Sequence, residues 1–248
     1  LMKLIAWLSL ATLVRRHALQ PNLLTALRRL VMPTPTASAQ KKLSQLAISQ
    51  LAILLAKVVV ATLQSMGKTI GTIFDDTPAK IGQQVLGVEI GSITPSPNWW
   101  REENRHAFIA IGDNAIRSQL SSLDAEWIVA KHTKSVVHQS VEIGEGTLIC
   151  AGVVIQPDTG LGCHVIANTS CSIDHDCTVG DFAHVGPGAV LAGGVQVGAT
   201  AFVDAGATIM PGLSIGSGAV MGAGAVVTRD VAAGQKVAGV PERELKSD

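Results

Sequence analysis

The sequence predicts a mainly β protein whose carboxy-terminal half is a parallel β-helix of hexapeptide repeats, and three observations predict it. From residue 137 onward one position in six is apolar without a slip in register: Val137, Ile143, Ile149, Ile155, Leu161, Ala167, Ile173, Val179, Val185, Leu191, Val197, Val203, Ile209, Ile215, Met221 and Val227. Fourteen of these sixteen are Val, Ile or Leu, a regularity that neither a 3.6-residue helical period nor simple strand alternation produces. Aromatic residues make up only 3% of the chain and tyrosine is absent, which suits narrow stacked coils better than a ring-filled globule. Small residues recur just after the apolar position, at Gly144, Gly162, Gly180, Gly186, Gly198, Gly216 and Gly222, where they are expected to let the backbone turn each corner.

The elements follow in chain order. Residues 1–42 form a basic extension, weakly structured or helical: residues 1–74 hold nine Lys or Arg and no acid, the first carboxylate being Asp75. Three readings of residues 1–40 compete. They are a poorly docked extension, for which an upstream start site is one explanation since Met32 could begin a shorter product; a basic amphipathic helix on an anionic membrane surface; and a transit-type leader. The first is the expectation. The apolar run 4–14 is shorter than the roughly 20 residues a bilayer requires, and the run 43–63 is interrupted by Lys57, so no transmembrane helix is expected.

Residues 43–131 read as a small α/β domain. A helix over 57–66 ends near Gly67, and the β-branched run Thr69–Phe74 stops at Asp75 and Asp76. Ala107–Ile111 is an apolar strand, followed by Gly112-Asp113-Asn114, a helix over 115–121 and a short strand at Trp127–Ala130. Strands alternating with helices suggest a small parallel sheet. The Ser/Pro stretch 92–98 is a loop, with Trp99 and Trp100 covering its base.

Residues 132–230 are the β-helix. Each hexad supplies a short strand and a turn, and three hexads close one triangular coil whose every-sixth aliphatic points inward. Successive coils stack at about 4.8 Å, and each buried aliphatic contributes roughly 1.5–3 kcal/mol before ordering entropy. No coil folds alone. Residues 231–248 are a C-terminal tail. The untwisted faces of such a prism call for partners, and a homotrimer about a threefold axis is expected, with clefts between neighbours. The zero net charge argues against nucleic acid. Cys150, Cys163, Cys171 and Cys177 form no CxxC pair and are expected as buried free thiols in a reducing, cytoplasmic compartment.

The polar residues that interrupt the repeat are His164, His175, Asp176 and His184. His175 lies two places after the inward Ile173, hence near a corner, and the adjacent Asp176 can orient its ring and raise its pKa. Acyl transfer needs such a base, because the attacking amine or hydroxyl must lose a proton as it adds to a thioester. No Ser or Cys nucleophile is evidently placed, which favours direct transfer.

The run Asn168-Thr-Ser-Cys-Ser-Ile-Asp-His-Asp-Cys-Thr-Val-Gly-Asp-Phe-Ala-His184 resembles the hexapeptide-repeat sugar acyltransferases of the NeuD/PglD type. These are sialic acid O-acetyltransferases and UDP-4-amino-sugar N-acetyltransferases. The later Gly222-Ala-Gly-Ala-Val-Val-Thr-Arg-Asp-Val and the closing Gly239-Val-Pro share the resemblance, which covers about residues 57–243. It implies a left-handed β-helix, against the usual right-handed crossover rule, preceded by a small Rossmann-like domain that holds a nucleotide sugar. It further implies acetyl-CoA as co-substrate, a sugar or nucleotide-sugar acceptor and a role in surface-glycan biosynthesis. His175 is implied as general base with Asp176 as its partner. His184, Ala205 and Ala223 are implied at acetyl-CoA, and Asp75, Asp76 and Gly112 at the acceptor.

The chain departs from the family at one place. Family members carry a Gly-rich turn ending in His before the first helix, whereas the aligned stretch here is Leu51-Ala-Ile-Leu-Leu-Ala56. The Rossmann-like domain is therefore incomplete at that loop, and branched side chains there obstruct a close phosphate approach. Two alternatives stand beside the acyltransferase reading. A zinc carbonic anhydrase on the same scaffold needs three converging histidines, and the spacings of 11 and 9 residues between His164, His175 and His184 do not suit it; no metal is expected. A non-catalytic assembly solenoid would make the His–Asp pair incidental.

Overall fold

The computed structural model describes residues 2–4, 53–94 and 106–245. The readings of residues 5–40 and of Trp99 and Trp100 lie outside these.

Helix α1 (Ile53–Ser65) is longer than its 57–66 expectation because Ile53–Ala56 continue it backwards, as good helix formers without a glycine break. Ala56, Val59, Val60 and Leu63 are buried along one stripe while Lys57, Ala61 and Gln64 face out. Gly67 ends it at φ 68, with Gly67 N–H donating to Gln64 and Lys68 N–H to Leu63, the paired bonds of a Schellman cap. Five short strands and a second helix complete the domain: β1 (Met2–Leu4), β2 (Ile73–Phe74), β3 (Gln84–Val85), β4 (Val88–Ser92), β5 (His106–Phe108) and α2 (Asn114–Leu120). Asp113 caps α2, its Oδ1 accepting from Ile116 N–H at 2.9 Å. A last strand, β6 (Glu126–Trp127), pairs parallel with β5, whose other edge pairs parallel with β1. β2 pairs parallel with β4, and β3 returns antiparallel on β4 through Leu86–Gly87, both at positive φ.

The coil stack begins at β7 (Ala130–Lys131), slightly before residue 132, since β7 already pairs with Leu148–Ile149. From there two-residue strands succeed one another around three parallel sheets. Face 1 starts at β7, face 2 at Val136–Val137 and face 3 at Glu142–Ile143. Register advances by one coil of eighteen residues, Leu148 opposite Ile166 and Ile166 opposite His184. The sixteen aliphatics are the inward members of their strands, and all are buried except Val137 and Ile143 at the open amino-terminal end. Stacking continues past residue 230. Val231 bridges to Ile215, Lys236–Ala238 extends face 1, and Arg243–Glu244 returns antiparallel on it. Residues 231–245 thus close the carboxy end of the prism rather than trail from it.

Two glycine registers do different work, which corrects the expectation for the first. A Cβ on Gly180 would lie 2.6 Å from Ala199 N, and one on Gly198 2.5 Å from Ser217 N. Glycine at these positions admits the backbone of the next coil; the turning is done elsewhere. Every positive-φ residue from Gly146 to Gly224 falls three places after an inward aliphatic, six of them non-glycine: Asp158, His164, Ser170, Asp176, Phe182 and Thr200. That left-handed position makes each corner.

Candidate active site

His175 and Asp176 occupy the corner between faces 2 and 3, in the turn after Ser172–Ile173. Asp176 takes the left-handed position at φ 57, which a short acidic side chain tolerates, and its N–H donates to Pro157 of the coil below. His175 N–H donates to Asp174 Oδ1 at 2.8 Å, fixing the turn from the other side. The geometry leaves the ring beside its neighbour's carboxylate, Nδ1 lying 2.7 Å from Asp176 Oδ2. That hydrogen bond, and then the charge of Asp174, hold the imidazole pKa above its ordinary 6.5. With Nδ1–H donating to Asp176, Nε2 keeps its lone pair, the form a proton acceptor needs. The ring is exposed, and its Nε2 edge stands over Gly193, where a Cβ would lie 2.8 Å away.

His184 sits on face 1 on the outward side of its strand, yet it is buried because the small domain covers it. Asn168 Nδ2 donates to Nε2 at 3.1 Å, so Nδ1 carries the proton. Nδ1 faces the Gly112 carbonyl without reaching full hydrogen-bond geometry. Burial first, and the Arg117 charge second, push this imidazole down to about 4, so it is neutral at pH 7. Phe202 packs against it at 5.0 Å between ring centroids.

Ala205 and Ala223 lie one coil apart at the exposed corner between faces 1 and 2, where Asn168 also turns. Ala205 and Ala223 therefore follow one corner of the prism, His184 lies on the adjoining face 1, and His175 stands on the next corner, across face 2. In the small domain Asp75 is buried, its Oδ1 accepting from Thr77 N–H at 2.8 Å with Lys80 Nζ 4.0 Å from Oδ2. Asp76 accepts from Thr94 N–H at 3.1 Å. Burial is the leading cause that holds both carboxyls above the usual range. Gly112 has nothing within 4 Å of the position a Cβ would take, so the backbone there is open to a ligand.

The structure thus joins His175 with Asp176 and His184 with Gly112, and it places Asp75 and Asp76 together beyond β2. Reading the sequence missed Asn168 and Gly193, although Gly193 is one coil period after His175 and could have been found from that spacing. Arg117 had no signal beyond being a charged residue between Ile116 and Leu120. Cys150, Cys171 and Cys177 are buried and Cys163 half-buried, all as free thiols. Among the described residues no three His, Cys, Asp or Glu gather as metal ligands, and no helix is long and apolar enough to cross a membrane.

Comparison with known proteins bears on this geometry. Residues 55–122 match the PglD N-terminal domain, and residues 194–229 match the bacterial transferase hexapeptide (six repeats). GDP-perosamine N-acetyltransferase from Escherichia coli O157:H7 is 39% identical over 93 residues, which span 36% of this chain and 42% of that relative. A histidine-to-asparagine variant of perosamine N-acetyltransferase from Caulobacter crescentus, solved with CoA and GDP-perosamine, superposes with a TM-score of 0.77 at 36% identity, covering 84% of this chain and 99% of that one. The acetyltransferase domain of PglB from Neisseria gonorrhoeae FA1090, solved with acetyl coenzyme A, gives 0.75 at 32% identity over 82% of this chain and 100% of that one. A domain match on the α/β segment, a repeat match on the coils and full-length alignment to these solved relatives agree: the chain belongs to the hexapeptide-repeat sugar acetyltransferases of the NeuD/PglD type.

Proposed function

We propose that the protein moves an acetyl group from acetyl-CoA to the amino group of a nucleotide-linked amino sugar for surface-glycan biosynthesis, by direct transfer with His175 as general base. The observation that carries the reading is the 2.7 Å contact from His175 Nδ1 to Asp176, which leaves Nε2 open over the clearance at Gly193. The acceptor amine attacks the thioester carbonyl, forming the C–N bond, while Nε2 takes the amine proton. Collapse of the tetrahedral intermediate breaks the C–S bond, and the departing thiolate receives the proton from His175. In this reading Asp176 stabilises the imidazolium between those steps. His184, Ala205 and Ala223 hold acetyl-CoA, and Asp75, Asp76 and Gly112 hold the acceptor. The coil is read as left-handed, and the reaction is placed in the cytoplasm.

The same reading calls for three copies. The outward row of face 2 is Val136, Val154, Ser172, Val190, Thr208 and Val226, without a charge, and Val136 and Val190 are exposed. Face 3 presents Glu142, Gly160, Thr178, Gln196 and Ser214 instead. Packing face 2 around a threefold axis covers the aliphatic row and brings the His175 corner of one copy towards the Ala205–Ala223 corner of the next.

The test is thiol release from acetyl-CoA with GDP-perosamine, UDP-linked 4-amino sugars and free amino sugars as acceptors. Free sugars belong in the panel because the sequence reads Leu51-Ala-Ile-Leu-Leu-Ala56 where the family carries its glycine turn. The expected outcome is acceptor-dependent release with a product heavier by one acetyl group on nitrogen. Absence of release with every amine would overturn the reading, and a monomer by light scattering would overturn the composite site.

A further inference from the structure

Arg117 of α2 is 1% exposed, and each of its five N–H groups has an acceptor. Nε donates to the His164 carbonyl at 2.8 Å and Nη1 to the carbonyls of Ile111 at 2.9 Å and Gly112 at 3.3 Å. Nη2 donates to Asn114 Oδ1 at 2.8 Å and to the Phe182 carbonyl. Asn114 Nδ2 donates onward to the carbonyls of Thr200 at 2.9 Å and Ala201 at 3.1 Å. One short helix therefore grips three successive coils.

The three gripped corners are unusual. His164, Phe182 and Thr200 are eighteen residues apart on the corner between faces 3 and 1, and each holds the left-handed conformation, at φ 54, 59 and 58. Bulky or β-branched residues seldom hold that conformation, which persists only where the surroundings fix the backbone. Trp127 meets the His164 ring edge-on at 5.1 Å, and His164 stacks on Phe182 at 5.3 Å. The same guanidinium holds Gly112, the backbone that faces His184.

We infer that Arg117, seconded by Asn114, is a positioning clamp that fixes the Gly112 loop against three coils and so sets the spacing between the acceptor site and the acetyl-CoA site. This rests on the acceptor role proposed for Gly112. Lysine cannot replace the clamp, since one ammonium has three donors and no fork to reach acceptors in two domains. The Arg117 charge, after burial, also helps keep His164 and His184 neutral. Without the clamp the small domain stays tethered through residues 128–130 and hinges instead of unfolding.

The experiment compares the full chain with Arg117→Met, Arg117→Lys and the milder Asn114→Ala. In Arg117→Met, amides of 107–120 are expected to exchange at least about tenfold faster while those of 202–227 stay as in the parent, with a smaller rise in Asn114→Ala. With GDP-perosamine as acceptor, its KM is expected to rise about tenfold with the acetyl-CoA KM within about twofold, and Arg117→Lys does not restore it. A purely structural role would lower folded protein and leave the two KM values in proportion. Unchanged exchange in 107–120, equal shifts in both KM values, or full rescue by lysine would overturn the clamp. Should Arg117→Met not fold, Asn114→Ala decides by the same exchange and KM criteria. If even the parent does not acetylate GDP-perosamine, the proposed function fails and the exchange measurement still decides the clamp.

Discussion

At the corner between faces 2 and 3, the turn Asp174–Cys177 leaves His175 59% exposed beside Asp176, with its pKa above the ordinary value. At the corner between faces 3 and 1, the equivalent turn Gly162–Val165 sinks His164 to 2% exposure, and burial followed by the Arg117 charge pushes its pKa down to about 4. Both turns use a left-handed residue to close the corner, Asp176 in one and His164 itself in the other. The difference lies in what covers them. One corner is bare and has carboxylates next to the ring; the other lies beneath a second domain and a guanidinium. An imidazole placed by the same repeat stays exposed beside carboxylates in the first case and becomes a neutral packing group in the second.

The largest test of that contrast removes the exposed ring. His175→Ala is expected to lower kcat about a thousandfold, within the range general-base catalysis supplies, while the thermal midpoint stays near the parent's because the side chain packs against little. Circular dichroism melts beside the thiol-release assay check both halves.

Glycine substitutions sharpen the contrast at intermediate size. Gly193→Ala places a Cβ 2.8 Å from the His175 ring, so the ring must swing away, and kcat is expected to fall about tenfold to a hundredfold with the fold retained. Gly180→Ala puts its Cβ against the Ala199 backbone and has no flexible neighbour to displace, so about 1–3 kcal/mol of stability is lost instead. Gly206→Ala, at φ 66 with open space around it, is expected to lose about 1 kcal/mol of stability. Denaturant melts of the three rank them, and reversal of Gly180 and Gly206 would contradict the account of the two registers.

Much of the coil was legible because its core repeats on a fixed period: Ile173 or Val203 reports its own inward direction from spacing alone. The corner position of His175 and Asp176 was legible for the same reason, since both are polar residues at a fixed place in an apolar pattern. The glycine register was legible but its reason was not, since close approach of the next coil is a contact eighteen residues away. Arg117 was illegible for the converse reason. Its partners in the coils, at 164 and 182, follow from how two domains meet, and no local period encodes that. The end of the stack was hidden likewise, because Lys236–Ala238 pairs with face 1 after the hexad pattern has stopped.

The most direct measurement of the central claim is the pH dependence of kcat/KM for acetyl transfer, in the parent and in Asp176→Asn. The hydrogen bond to Asp176 is the leading cause of the raised His175 pKa, and only the neutral ring accepts a proton. The rate should therefore rise with pH through one ionisation above 6.5, and in Asp176→Asn that ionisation should move down towards the ordinary value. A profile flat from pH 5 to 9 (roughly the range over which an imidazole titrates), or one that Asp176→Asn leaves in place, would contradict the assignment of His175 as the base.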